Sequence, residues 1–125
     1  MAAHELLTSV RFPVPPAGTV AVFAKCGARP ALDIALASVG IAGVKRNGSL
    51  HRARVAFGAV APTPIRGRRT EAALEGTVLD DEHIAEIARA AQEEISPISD
   101  VRASAWYRTR MIHDMTRRLL HDVSR

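Results

Sequence analysis

A single cysteine, Cys26, in 125 residues excludes by counting an intrachain disulfide, a four-cysteine iron–sulfur site and a cysteine-rich zinc site. Aromatic residues are scarce as well, at 4%. The core must be built mainly from Ala, Val, Ile and Leu, which bury less area apiece than Phe or Trp, so a thin core completed by a partner surface is expected. No run approaches the roughly 20 apolar residues needed to cross a bilayer, and the first residues lack the charged-then-apolar pattern of a signal peptide. A soluble, unexported chain in a reducing cytoplasm is expected, with no membrane partner. Three glycine-dependent motifs are missing too. There is no dinucleotide fingerprint between a strand and a helix, no Gly-rich loop ending in Lys-Ser or Lys-Thr, and no serine with a glycine two residues away on each side.

What is present is an ordinary globular balance of 47% apolar and 24% charged residues, at a length that suits one domain. The net charge is +4, with basic residues concentrated in Arg46 to Arg69 and near the C-terminal end. That distribution admits an acidic protein face or nucleic acid as partner; composition favours a solvated arginine-rich surface, and nucleic acid is not the expected partner.

Residues 1–19 read as a leading strand, Leu6 to Phe12, and a Pro-rich linker carrying Pro13, Pro15 and Pro16; residues 20–125 read as one domain. Val20 to Phe23 is a short extended run ending at Lys25, and Arg29-Pro30 opens a helical turn with Asp33 in its first turn. The clearest hairpin signal follows. Ser38 to Arg46 is β-compatible, Asn47-Gly48 supplies a tight turn, and Ala53, Val55 and Phe57 alternate with Arg52, Arg54 and Ala56. After Gly58 and the Ala59 to Pro64 exit, a short helix is predicted from Arg68 to Glu75, closed by Gly76. A second helix is capped by Asp80 or Asp81 and carries Ile84, Ile87, Ala88, Ala91 and Ile95 on one face. A third begins at Ser104 with Tyr107, Met111, Ile112, Met115, Leu119 and Val123 as its stripe, leaving Arg108, Arg110, Arg117 and Arg118 outside it. Together these elements predict an α+β domain with a small antiparallel β-sheet covered on one side by helices.

The residues themselves assign no catalytic centre. His113-Asp114 and His121-Asp122 repeat a pair eight residues apart, which sets the histidines roughly 80° apart around a helix and gathers no ligand set. His51 and His83 have no supporting spacing. No catalytic residue and no metal ligand is assigned. Lys25, Arg29 and Arg66 flank Pro- or Gly-containing loops that could aim their charges at an anionic ligand; a structural pairing, such as Arg29 with Asp33, is the competing reading.

Four stretches, taken in order, resemble the carboxy-terminal domain of the FAD-binding (medium) subunit of molybdenum hydroxylases, the xanthine dehydrogenase and carbon monoxide dehydrogenase family. They are Phe23-Ala24-Lys25-Cys26-Gly27-Ala28-Arg29-Pro30-Ala31-Leu32-Asp33-Ile34-Ala35, then Ala56-Phe57-Gly58-Ala59-Val60-Ala61-Pro62-Thr63-Pro64-Ile65-Arg66, which is the most specific, then Glu71 to Gly76, then Pro97 to Arg108. The resemblance implies a three-stranded antiparallel sheet packed on a bundle of about three helices. It also implies an accessory role in an oxidoreductase complex, without independent catalysis, in which electrons pass between iron–sulfur clusters and FAD. Phe23 would shield the flavin ring, with Lys25 and Arg29 setting the local potential. The expected partners are an FAD-binding chain, an iron–sulfur subunit and a molybdenum subunit that carries the molybdopterin. Phe23 stands where tyrosine is common in the family, and Ala103 where glycine is. The family's glycine-rich pyrophosphate loops belong to the preceding half of its subunit, so FAD would be shared with a partner chain. The alternative is a non-catalytic interaction module that keeps the fold without flavin.

Overall fold

The computed structural model describes residues 2–29 and 33–125. Four strands, β1 (Thr19–Cys26), β2 (Ala37–Arg46), β3 (Ser49–Gly58) and β4 (Ile65–Arg66), precede three helices, α1 (Arg68–Leu74), α2 (Asp81–Glu93) and α3 (Ala105–Ser124). The sheet is antiparallel with strand order β1-β2-β3-β4, so β1 is a free edge. It has one strand more than expected. β4 is the two-residue piece Ile65–Arg66, paired with Phe57 and Ala56 and absent from the predicted set because a stretch so short carries no periodicity.

The predicted hairpin forms as β2 and β3. Asn47 and Gly48 both take positive φ, 48° and 76°, the backbone a two-residue hairpin turn with the right twist requires. Ala53, Val55 and Phe57 point into the core while Arg54 and Ala56 face solvent. Val39, Ile41, Val55 and Phe57 then pack with Ile84, Ile87, Ala91, Ile112, Leu119 and Leu120 of the helices into one buried cluster. Helices cover only that face. The other face of the sheet presents Ala21, Phe23 and Lys25 on β1, Gly40 and Ala42 on β2, and Arg54 and Ala56 on β3.

Helix boundaries follow their capping residues. Asp80 accepts the backbone N–H of His83, and Ser104 that of Tyr107 at 3.1 Å, each satisfying a donor that the first turn leaves open. α1 has no side-chain cap of its own. Glu94, just past α2, takes that role from outside by accepting the Arg69 and Thr70 amides and the Thr70 hydroxyl.

The expectations at Leu6–Phe12, Asp33 and Arg108 change. Leu6 to Phe12 forms no strand within this chain. The helical turn expected at Arg29-Pro30 falls on residues 30–32, outside the described residues. Asp33 is not helical; its carboxylate turns back and accepts the Arg29 amide at 2.7 Å. Arg108, read as lying outside the helical stripe, is 5% exposed.

Candidate functional site: a cationic groove beside the edge strand

β1 and the segment after it carry Phe23, Lys25 and Arg29, three of the four residues singled out for a ligand. Phe23 sits opposite Gly40 across the β1–β2 ladder and stays 68% exposed, since no helix covers that face. Lys25 lies two residues on, on the same face, because strand side chains alternate. The strand ends at Cys26, whose carbonyl accepts the Leu36 amide at 2.8 Å and closes the loop between β1 and β2.

Asp33 organises that loop. It accepts the Arg29 amide through its carboxylate, and its backbone carbonyl accepts the Lys25 ammonium at 3.1 Å. The Arg29 amide holds the Asp33 carboxyl below the usual carboxylate range against the opposing effect of desolvation, with the Ala28 and Ile34 amides and the Arg29 charge adding to it. Gly27 permits the approach: a Cβ there would stand 2.9 Å from Asp33 Oδ2.

Along the outer edge of β1 runs an open groove of about 680 Å³, lined by Phe23, Lys25, Cys26 and Arg29 on one side and by Met111, Met115 and Arg118 of α3 on the other. Phe23, Lys25 and Arg29 therefore meet in one place. The groove offers three cationic side chains over an apolar and thioether lining, a combination suited to an anionic, partly apolar ligand. Sequence periodicity reads Met111 and Met115 as core; Met115 is buried and also edges the groove. Tyr107 is 37% exposed, with its hydroxyl 3.8 Å from Cys26 Sγ, a contact that raises the Tyr107 pKa.

Arg66 lies elsewhere. Its guanidinium holds Glu71 through Nε and Nη2, and Glu71 also accepts the Val55 amide, so this arginine fixes α1 to β3. Arg108 is the residue that sequence reasoning missed. It donates to the Leu36 and Ala59 carbonyls at 2.7 and 3.0 Å and to both oxygens of Asp100, tying the groove loop's far end to the exit from β3 and to the segment before α3. Its only advance signal is its place in the Pro97 to Arg108 stretch. His113 is bonded to Asp114, and among the described residues no group of three His, Cys, Asp or Glu is placed to hold a metal ion. Among them, too, no helix is long and apolar enough to cross a membrane.

This architecture, a short antiparallel sheet with helices on one face, is found in solved carbon monoxide dehydrogenase and quinoline oxidoreductase structures. A carbon monoxide dehydrogenase from Hydrogenophaga pseudoflava superposes with a TM-score of 0.80 at 33% identity, covering 85% of this chain and 37% of that one. Quinoline 2-oxidoreductase from Pseudomonas putida 86 gives 0.78 at 28% identity, covering 87% and 38%. Residues 23–123 match the CO dehydrogenase flavoprotein C-terminal domain, and the chain belongs to that family. Among sequences, it is 32% identical to the glyceraldehyde dehydrogenase medium chain of Sulfolobus acidocaldarius over 120 residues, 96% of this chain and 42% of the relative. It is 31% identical to the xanthine dehydrogenase FAD-binding subunit of Escherichia coli O157:H7 over 122 residues, 95% of this chain and 41% of that subunit. The carbon monoxide dehydrogenase medium chain of Afipia carboxidovorans matches at 34% over 114 residues, 91% of this chain and 39% of its own length. The chain thus spans about two fifths of the length of these relatives.

Proposed function

We propose that this domain completes the flavin site of a molybdenum-hydroxylase-type oxidoreductase and assists electron transfer between iron–sulfur clusters and FAD. The observation that carries this reading is the convergence of Phe23, Lys25 and Arg29 on one groove, within the segment where the family match begins.

The groove fits one end of FAD and not the whole of it. An exposed aromatic ring beside two cations suits the flavin ring, whereas among the described residues no glycine-rich turn opens a helix as a pyrophosphate seat would. Phe23 supplies a flat apolar cover and excludes water. Lys25 and Arg29 set positive charge beside the ring, which favours whichever redox form carries more negative charge. Asp33 holds that loop in shape through the Arg29 amide and the Lys25 ammonium. FAD supplies the redox chemistry. A flavin-binding chain grips the remainder of the cofactor, and iron–sulfur and molybdenum subunits complete the complex in the cytoplasm.

The test is reconstitution of the chain with a flavin-binding partner, followed by measurement of the flavin reduction potential for the wild type and for Lys25→Ala and Arg29→Ala. Both substitutions lower the potential, because each removes a charge that stabilises the reduced form. An unchanged potential in both variants would assign the loop a purely structural role.

A further inference from the structure

Leu6 to Phe12 has the composition of a strand and, among the described residues, pairs with none. Leu6, Thr8, Val10 and Phe12 alternate with Leu7, Ser9 and Arg11, the period-two pattern of a segment buried on one face. Yet the large apolar side chains stand in water: Leu6 is 84% exposed, Leu7 67%, Val10 75% and Phe12 80%. Backbone N–H and C=O groups that are not in a ladder, flanked by exposed apolar side chains, form a template for another sheet edge. Pro13, Pro15 and Pro16 lack the N–H that a ladder needs and so end the pairing segment after Phe12. The arm leaves the domain at an anchored turn, where Thr19 bonds the Pro16 carbonyl through both its amide and its hydroxyl, and Lys45 bonds the Gly18 carbonyl.

Likeness to the full-length relatives continues through this arm. The family domain begins only at Phe23, whereas the Sulfolobus medium chain matches all but about five of the 125 residues and so includes Val10 and Phe12. The arm's sequence accordingly goes with the part of a medium chain that lies outside this domain.

We propose that Leu6–Phe12 is a donated strand, adding to the open edge of a sheet in the flavin-binding portion of a medium chain and burying the Leu6, Val10 and Phe12 face there. The identity of that partner rests on the proposed flavin-site role; the strand pairing rests on the arm.

The probe is the Sulfolobus acidocaldarius medium chain lacking the segment that this chain matches, co-expressed with the full 125-residue chain. The wild type copurifies with it, and alternate amides over residues 6–12 exchange at least tenfold more slowly in the complex than in the chain alone. Val10→Pro and Arg11→Pro are compared separately, since in an edge strand only every second N–H enters the ladder: one of the two cuts the copurified yield at least tenfold and the other does not. Phe12→Asp also cuts it, while all three leave the thermal midpoint of the isolated chain unchanged. The proposal is overturned by failure to copurify, by arm amides that exchange equally fast in the complex, by wild-type yield from both proline variants, or by arm protection arising between copies of this chain alone. Lys25→Ala and Arg29→Ala separate the two readings. If both copurify without altering the flavin potential, and the proline result holds, the strand stands and the flavin role of the loop falls.

Discussion

Arg108 on α3 grips both carboxylate oxygens of Asp100, at 2.8 and 2.9 Å, from a side chain that is only 6% exposed. The same guanidinium bonds the Leu36 and Ala59 carbonyls, so one residue closes the groove loop, the β3 exit and the linker before α3. Arg108→Ala leaves these carbonyls without their donor, and a loss of about 2–4 kcal/mol in urea unfolding is expected. Arg108→Lys does not restore it, because an ammonium cannot reproduce the planar fork that spans a carboxylate and two carbonyls.

Gly27→Ala separates local order of the loop from stability of the domain. The added Cβ falls 2.9 Å from Asp33 Oδ2, the far end of a side chain that moves away more easily than backbone. Its retreat breaks the bond to the Arg29 amide. That amide should exchange several-fold faster in the variant, with the urea midpoint changed little, since neither Gly27 nor Asp33 belongs to the core cluster.

What could be read in advance was local. The period-two run Ala53, Val55, Phe57 and the helical run Ile84, Ile87, Ala88, Ala91 declare their buried faces through spacing alone, and Asp80 and Ser104 mark helix starts from within a few residues. The roles of Arg108 and Glu94 were not legible, because each depends on a partner brought close only by the fold. Arg108 and Leu36 are 72 positions apart, and Glu94 and Thr70 are 24 apart. Charge on a helix predicts exposure, and Arg108 overrides that because three chain segments converge on it with acceptors.

The candidate groove divides in the same way. Phe23, Lys25 and Arg29 were identified through the family motif that contains them, whereas Met111, Met115 and Arg118 enter only once α3 lies beside β1. Scarcity of aromatics proved informative in one further respect. Only Phe57 is fully buried, while Phe12, Phe23 and Trp106 remain 68–80% exposed, so the few aromatic side chains are placed mainly on surfaces and not in the core.

Acid should destabilise the domain through Glu71. Burial works against its ionised form, but the Arg66 side chain and the Val55 amide outweigh this and leave the pKa below its ordinary 4.5. A carboxylate whose folded pKa is depressed adds stability above its unfolded pKa, and that stability is lost as pH falls through the folded value. Unfolding free energy should therefore decline below about pH 4.5, and Glu71→Gln should show a shallower decline over the same range. Asp33, Glu75, Asp80, Asp100 and Asp114 are shifted in the same direction, so the variant flattens the profile without abolishing it.

Glu94 offers the sharpest test of how α1 is held. The helix spans only Arg68–Leu74, too short to persist in water unaided, and it begins at Gly67 without a side-chain cap. Glu94 supplies the missing acceptors from the end of α2: Oε1 takes the Arg69 amide at 2.7 Å, and Oε2 takes the Thr70 amide at 2.8 Å and the Thr70 hydroxyl. Glu94→Ala opens two first-turn amides and leaves the fully buried Thr70 hydroxyl without this acceptor, at a cost of about 1–2 kcal/mol. Glu94→Gln keeps one carbonyl oxygen and should recover part of the loss. Hydrogen exchange locates the effect: amides of Arg69 and Thr70 lose protection first, while those of the β2–β3 ladder follow the global unfolding free energy. Equal loss of protection at both places would mean that α1 and the sheet open as one unit, and that Glu94 contributes to the whole domain and not to the helix end alone.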